Sequence, residues 1–157
     1  MYRNVSDFIQ EWTQESRGTA SVIEAISDEK LDVAIAEDHN SLGWLGWHLA
    51  TSPAFFGSLV GVNVTPAGDA AKVPEKAEDI HKAYEQMAED FRQEAERVLT
   101  DVSLEETVEA MGGQVSRGAL LRTLVNHQTH HRGQMTVLLR QAGLSVPGVM
   151  GPTKEQS

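Results

Sequence analysis

A chain of 157 residues, 40% apolar and 23% charged, is long enough for one domain with a buried core and too short for two. Its formal charge of −10 excludes the basic surface that nucleic-acid phosphates require, and the lack of cysteine excludes disulfides, thiolate nucleophiles and cysteine-ligated zinc or iron–sulfur centres. The N-terminal MYRNVSDFIQEW has no apolar signal core, and no run approaches the roughly 18 apolar residues of a membrane span, so a cytoplasmic protein with neither membrane nor nucleic acid as partner is expected.

Asn4 or Ser6 can cap a first helix to about Ser27, along which Phe8, Trp12, Thr19, Val22, Ile23 and Ile26 recur at helical spacing. After the polar loop SDEKLDVAIAEDHN, Asn40 and Ser41 offer N-cap chemistry for a second helix, LGWLGWHLATSPAFFGSLVG, with Leu42, Leu45, Leu49 and Phe56 on its apolar stripe. Pro53 inside this segment removes a backbone donor and crowds the carbonyl four residues back, which predicts a kink or a break. VNVTPAGDAAKVP reads as loop. Pro74 opens a third helix over about residues 75 to 99, striped by Ile80, Tyr84, Met87, Phe91 and Val98.

The next connection, TDVSLEETVEAMGGQVSRG, contains a Gly-Gly pair with room for a short hairpin. Ser116 caps a fourth helix over about residues 117 to 142, and Gly143 ends it. The fold expected is all-α, a four-helix bundle with long connections. Residues 1–143 form its single domain, and 144–157 form an irregular tail packing on or beside it. The long second and third connections leave room for crossovers, so up-down-up-down order is not required.

The fourth helix carries an anomaly. LVNHQTHHRGQM packs three of the six histidines into five positions of an apolar segment. The expected buried stripe is Leu120, Leu124, His127, His131, Met135, Leu138 and Ala142. His127 and His131 are four residues apart, so their side chains lie one turn apart on one face, where two neutral imidazoles can grip one metal ion. His130 is turned about 100° away from His131. Gln134 flanks the pair as a supporting or substrate-binding group, and Gly133 leaves room for a helix or a ligand. His48 in the second helix, bracketed by Leu45 and Leu49, offers a third ligand, with Trp44 and Trp47 as apolar shielding. Three histidines leave a coordination position open, as catalytic sites do.

Plainer roles stand beside these. A buried histidine is commonly a hydrogen-bonded core residue, the tryptophans can simply pack, and Gly133 can mark a tight helix contact. Asn126, His130 and Arg132 read as a solvated or interface face, and His39 and His81 as surface. The chain has no H-E-x-x-H, phosphate-binding glycine loop or G-x-S-x-G, and only one Glu-x-x-His, at Glu78 and His81, where a di-iron bundle needs two.

GWLGWHLAT, LLRTLVNHQTHHRGQMTVLLRQAG and VPGVMGPT together resemble the DinB/YfiT-like family of bacterial helical-bundle proteins, in helix order over nearly the whole chain. The His-x-x-x-His-Arg-Gly-Gln segment is the most specific part. The resemblance implies a four-helix bundle with a divalent metal, zinc or nickel, held by residues matching His48, His127 and His131. It also implies thiol S-transferase chemistry with bacillithiol, mycothiol or a related low-molecular-weight thiol, or metal-dependent isomerase or hydrolase activity, and a homodimer. Three readings stay open. One is a metalloenzyme acting on a small molecule, with Gln134, Trp44 and Trp47 lining its site. The others are a non-catalytic metal- or ligand-binding stress-response protein and a helical interaction protein with packed histidines.

Overall fold

The computed structural model describes residues 1–156. Helices α1 (Val5–Glu24), α2 (Leu42–Val60) and α3 (Ala77–Val98) are followed by a one-turn helix α4 (Asp101–Glu105), a hairpin of β1 (Thr107–Ala110) and β2 (Gly113–Ser116), and the long helix α5 (Arg117–Gln141). The expected all-α bundle is therefore present, with α1, α2, α3 and α5 as its four long members. Around the bundle, α1 neighbours α3, α3 neighbours α2, α2 neighbours α5 and α5 neighbours α1.

Contacts give the directions. Glu11 pairs with Arg122 and Glu15 with Arg132, so α1 and α5 run parallel. The Trp12 indole N–H donates to the Ala88 carbonyl at 2.9 Å, and Asp28 meets Ala77, so α3 runs against α1. Gly46 packs on Ile80 and Gly57 on Phe91, so α2 and α3 are parallel and the segment between them crosses the bundle lengthwise. The order is up-down-down-up, one of the bundle topologies that long crossovers permit.

Two helix starts are capped from far away. Asn4, at the N-cap of α1, makes no capping bond; Asp101 accepts from the Val5 N–H at 2.8 Å instead. Asp28 accepts from the Ala77 N–H at 2.8 Å, which starts α3 later than Pro74 suggests. Each carboxylate also meets the positive end of a helix dipole. The first helix stops at Glu24 rather than Ser27, and Asp28–Lys30 form a short 3₁₀ turn. The hairpin turn is Met111 and Gly112, with φ of 54° and 86°, the two left-handed positions of a type I′ turn. The one-turn α4 was not legible as a helix; its capping box joins Thr100 and Ser103.

Pro53 neither breaks nor ends α2, which continues to Val60. Proline leaves the Leu49 carbonyl without its usual helical donor. The buried Gln128 supplies one: its amide donates to Leu49 O at 3.3 Å, while its Oε1 accepts from the Tyr84 hydroxyl at 2.8 Å. One carboxamide thus ties α2, α3 and α5 together in the core.

The expected stripe of α5 is buried at Leu120, Leu124, Met135 and Leu138, but the buried face is broader and its centre is rotated toward Leu121, Val125, Gln128, Arg132 and Leu139, which leaves His127, His131 and Ala142 half-buried at its edge. Arg132 is not on a solvated face. It is 4% exposed and donates to the Glu15 carboxylate at 2.7 Å, to the Glu15 carbonyl at 3.0 Å and to Thr19 at 3.3 Å. Gly133 makes no tight helix contact, since a Cβ there would meet nothing within 4 Å. His81 is half-buried beside Glu85, not a surface residue, whereas His39 is exposed. In the C-terminal segment Val146 is buried, Val149 lies against Gly18, and Arg140 bonds Glu155 at 2.9 Å, leaving Met150 exposed. Among the described residues no helix is long and apolar enough to cross a membrane.

Candidate metal centre

The site forms on the seam where α2 and α5 run antiparallel. Ser41 caps α2 by accepting from the Trp44 N–H at 3.2 Å, and Ser116 caps α5 by accepting from the Ala119 N–H at 3.3 Å. His48 lies in the first half of α2, and His127 and His131 lie one turn apart on α5. Their rings converge, with centroids 4.9 Å apart for His48 and His127, 4.8 Å for His48 and His131, and 4.5 Å for His127 and His131. One ring nitrogen of each lies within 4.8 Å of the others, and Nε2 of His48 is 3.0 Å from Nε2 of His127. All three residues are half-buried. The rotation of the α5 core line explains this: Gln128 and Arg132 take the core, and the histidines flank it, facing α2.

The surroundings fix the rings. Gln134 Oε1 can only accept, so the 2.7 Å bond from His131 puts the proton on Nδ1 and leaves Nε2 with a free lone pair. Trp44 stacks on His48 at 4.7 Å and 13°, and Phe56 lies 5.4 Å from the His127 ring. Trp47 is not brought to the cluster. Its indole N–H donates to the Asp69 carbonyl at 2.9 Å and its ring packs over Gly68. His130 stands 4.9 Å from His131 but is exposed and outside the converging set.

Burial disfavours the charged forms of His127 and His48. Burial, then the neighbouring His131, His48 and His130, push the His127 imidazole down to about 4. Burial and His131 lower His48 likewise. Neutral imidazole is the form that donates a lone pair to a metal.

These residues fit a divalent ion. An ion about 2.0–2.1 Å from each nitrogen holds adjacent ligands roughly 2.9 to 3.4 Å apart, a range that includes the His48–His127 spacing of 3.0 Å, and the third nitrogen lies within 4.8 Å of that pair. Two lone pairs facing at 3.0 Å repel unless one nitrogen keeps a proton or a cation lies between them. His127 Nδ1 is buried with no hydrogen-bond partner, as is Ser52 Oγ, one turn past His48 on α2. Among the described residues, this is the one group of three or more His, Asp or Glu side chains whose donor atoms converge in this way, and no carboxylate belongs to it.

Sequence reasoning did not assign Phe56 to this site. The available signal was its spacing, since Phe56 lies two steps of four beyond His48 on α2.

A family model described as "DinB family" matches residues 1–157. The uncharacterized protein YrdA of Bacillus subtilis is 35% identical over 156 residues, covering 99% of this chain and 93% of that protein. A crystal structure of a DinB-like protein from Bacillus cereus ATCC 10987 matches with a TM-score of 0.90 and 37% identity, over 95% of this chain and 99% of that one. The DinB-like protein YjoA of Bacillus subtilis shares the fold, with a TM-score of 0.73 at 19% identity over 93% of this chain and 99% of that one. With the family model matching from end to end, the chain belongs to the DinB family.

Proposed function

We propose that His48, His127 and His131 hold one divalent metal ion, zinc or nickel, and that the protein uses it to activate a small-molecule nucleophile, a thiol in the leading version. The observation that carries this reading is the convergence of three imidazoles, with two Nε2 atoms 3.0 Å apart. When bound, the ion would lower the pKa of a coordinating thiol or water and so supply an anion near neutral pH.

The chain's own residues do the rest. The three ligands are uncharged and no carboxylate joins them, so the ion's charge favours an anionic incoming group such as a thiolate. Gln134 locks the tautomer of His131 and aims its Nε2. Trp44 and Phe56 cover the outer faces of His48 and His127 and keep water from those rings. Half-burial leaves one side of the cluster open for a small molecule. A thiol S-transferase located in the cytoplasm and working as a dimer is the fullest form of this reading.

Cobalt(II) substitution tests it. With one cobalt bound per chain, adding bacillithiol, mycothiol or glutathione should produce a sulfur-to-cobalt charge-transfer band in the near ultraviolet. No band with any of them would overturn the thiol version and leave water as the activated group.

A further inference from the structure

A cavity of about 270 Å³ opens beside the histidines, between α2, α5 and the loop before α2. Its apolar walls are Ile35, Leu45, Val137 and Leu138. Its polar groups come from His39, Asn40 and Gln134, and no Asp, Glu, Lys or Arg lines it. Ile35 and Val137 are 55% and 48% exposed, two branched apolar side chains left in water where a surface helix and loop would carry polar ones.

The cavity adjoins the metal centre through Gln134, although none of the three histidines lines it. Leu45 stands one turn before His48 on α2, and Leu138 one turn beyond Gln134 on α5. Gln134 belongs to both: its Oε1 holds His131 at 2.7 Å and its side chain lines the cavity. A molecule with one atom at the histidines therefore has an apolar hollow within one helical turn for the rest of its body.

We propose that this cavity is the specificity pocket of the site and takes the uncharged, apolar body of the small molecule whose reacting atom meets the histidines. The inference rests on the metal-centre reading above and adds the substrate class to it. A carboxylate or phosphate placed in the cavity would find no cation among its lining residues, within a chain of net charge −10. An aliphatic or small aromatic group would find four hydrocarbon side chains. Any anionic thiol must keep its carboxylates outside this hollow. Two exposed side chains and a concavity this small suit a ligand better than a second copy, whose stable interface needs about 1,000 Å² or more.

Alkyl hydroxamates test the proposal, because one end chelates the metal and the other can be lengthened. Zinc-loaded protein is titrated calorimetrically with acetohydroxamate and with octanohydroxamate. Burying a methylene is worth about fourfold in affinity, so the longer compound should bind at least about a hundredfold more tightly. Val137→Asp and Ile35→Ser are both at exposed positions and so leave the core intact. Each should cut octanohydroxamate affinity by about tenfold or more and leave acetohydroxamate affinity unchanged.

Equal binding of the two compounds, or a tail preference untouched in both variants, would overturn the pocket while leaving the metal centre standing. Failure of acetohydroxamate to bind zinc-loaded protein would instead remove the metal reading, and the pocket with it. A wild-type dimer that Val137→Asp dissociates, with no tail preference, would assign these side chains to a contact between copies and overturn the proposal.

Discussion

Nε2 of His48 and Nε2 of His127 face each other at 3.0 Å across the α2–α5 seam. Burial disfavours a positive charge on either ring, and the neighbouring imidazoles add to that cost. His127 titrates near 4 when folded and near 6.5 when unfolded. Between those values the unfolded chain binds protons that the native chain refuses, so this group costs no stability above about pH 6.5 and a growing amount as pH falls toward 4. Metal-free protein should therefore show a lower urea midpoint at pH 5 than at pH 7.5, and the drop should shrink in His127→Gln. A drop of the same size in that variant would show that other groups cause it.

Gln134 holds His131 by a single bond of 2.7 Å, on an exposed stretch of helix where its loss should leave the fold intact. Gln134→Leu should weaken zinc binding about 10- to 100-fold, the usual effect of removing a group that orients a ligand. Gln134→Glu, which keeps the acceptor, should restore most of it. Competition with a chromophoric chelator measures both; equal affinity in wild type and Gln134→Leu would show that the bond does not orient the ligand.

The four long helices were legible because Phe8, Trp12, Ile80, Tyr84 and Phe91 are spaced for burial, and Ser41 and Ser116 are local caps. The pair His127 and His131 was legible for the same reason, since i and i+4 share a face whatever lies opposite, and His48 was legible from Leu45 and Leu49, which bracket it on α2. The rotation of α5 was not. Gln128 and Arg132 look like surface residues until Leu49 O, Tyr84 and Glu15 are brought to them by the other helices. The missing break at Pro53 has the same origin, because the donor that mends it lies 79 residues away from the carbonyl it serves. Asp28 and Asp101 cap helices 49 and 96 residues distant, which no local motif can announce.

Pro53 and Gln128 should be energetically coupled through the Leu49 carbonyl. Gln128→Leu removes the donor to that carbonyl and the acceptor of the buried Tyr84 hydroxyl and should cost about 1–3 kcal/mol. Pro53→Ala returns a backbone donor to Leu49. The double variant should lose less stability than the two single changes predict, as read from urea unfolding of all four proteins. Strict additivity would show that Gln128 does not stand in for the helical bond.

Arg132 and Glu15 form a buried ion pair, with side chains 4% and 12% exposed. Arg132→Ala strands the Glu15 carboxylate in the core and should cost about 3–5 kcal/mol. Arg92→Ala, which removes an outer pair with Glu89 and Glu96, should cost no more than about 1 kcal/mol. Chemical denaturation ranks them; similar losses would mean that the Arg132 pair is solvated in solution.

The central claim is that three histidines, and not a fourth, hold a metal ion. Protein made without a histidine tag, loaded with excess zinc or nickel and desalted, can be assayed for metal per chain by mass spectrometry. The wild type and His130→Ala should each retain one ion per chain, while His48→Ala, His127→Ala and His131→Ala should retain little. An empty wild type, or a His130→Ala loss as complete as that of His131→Ala, would contradict the account.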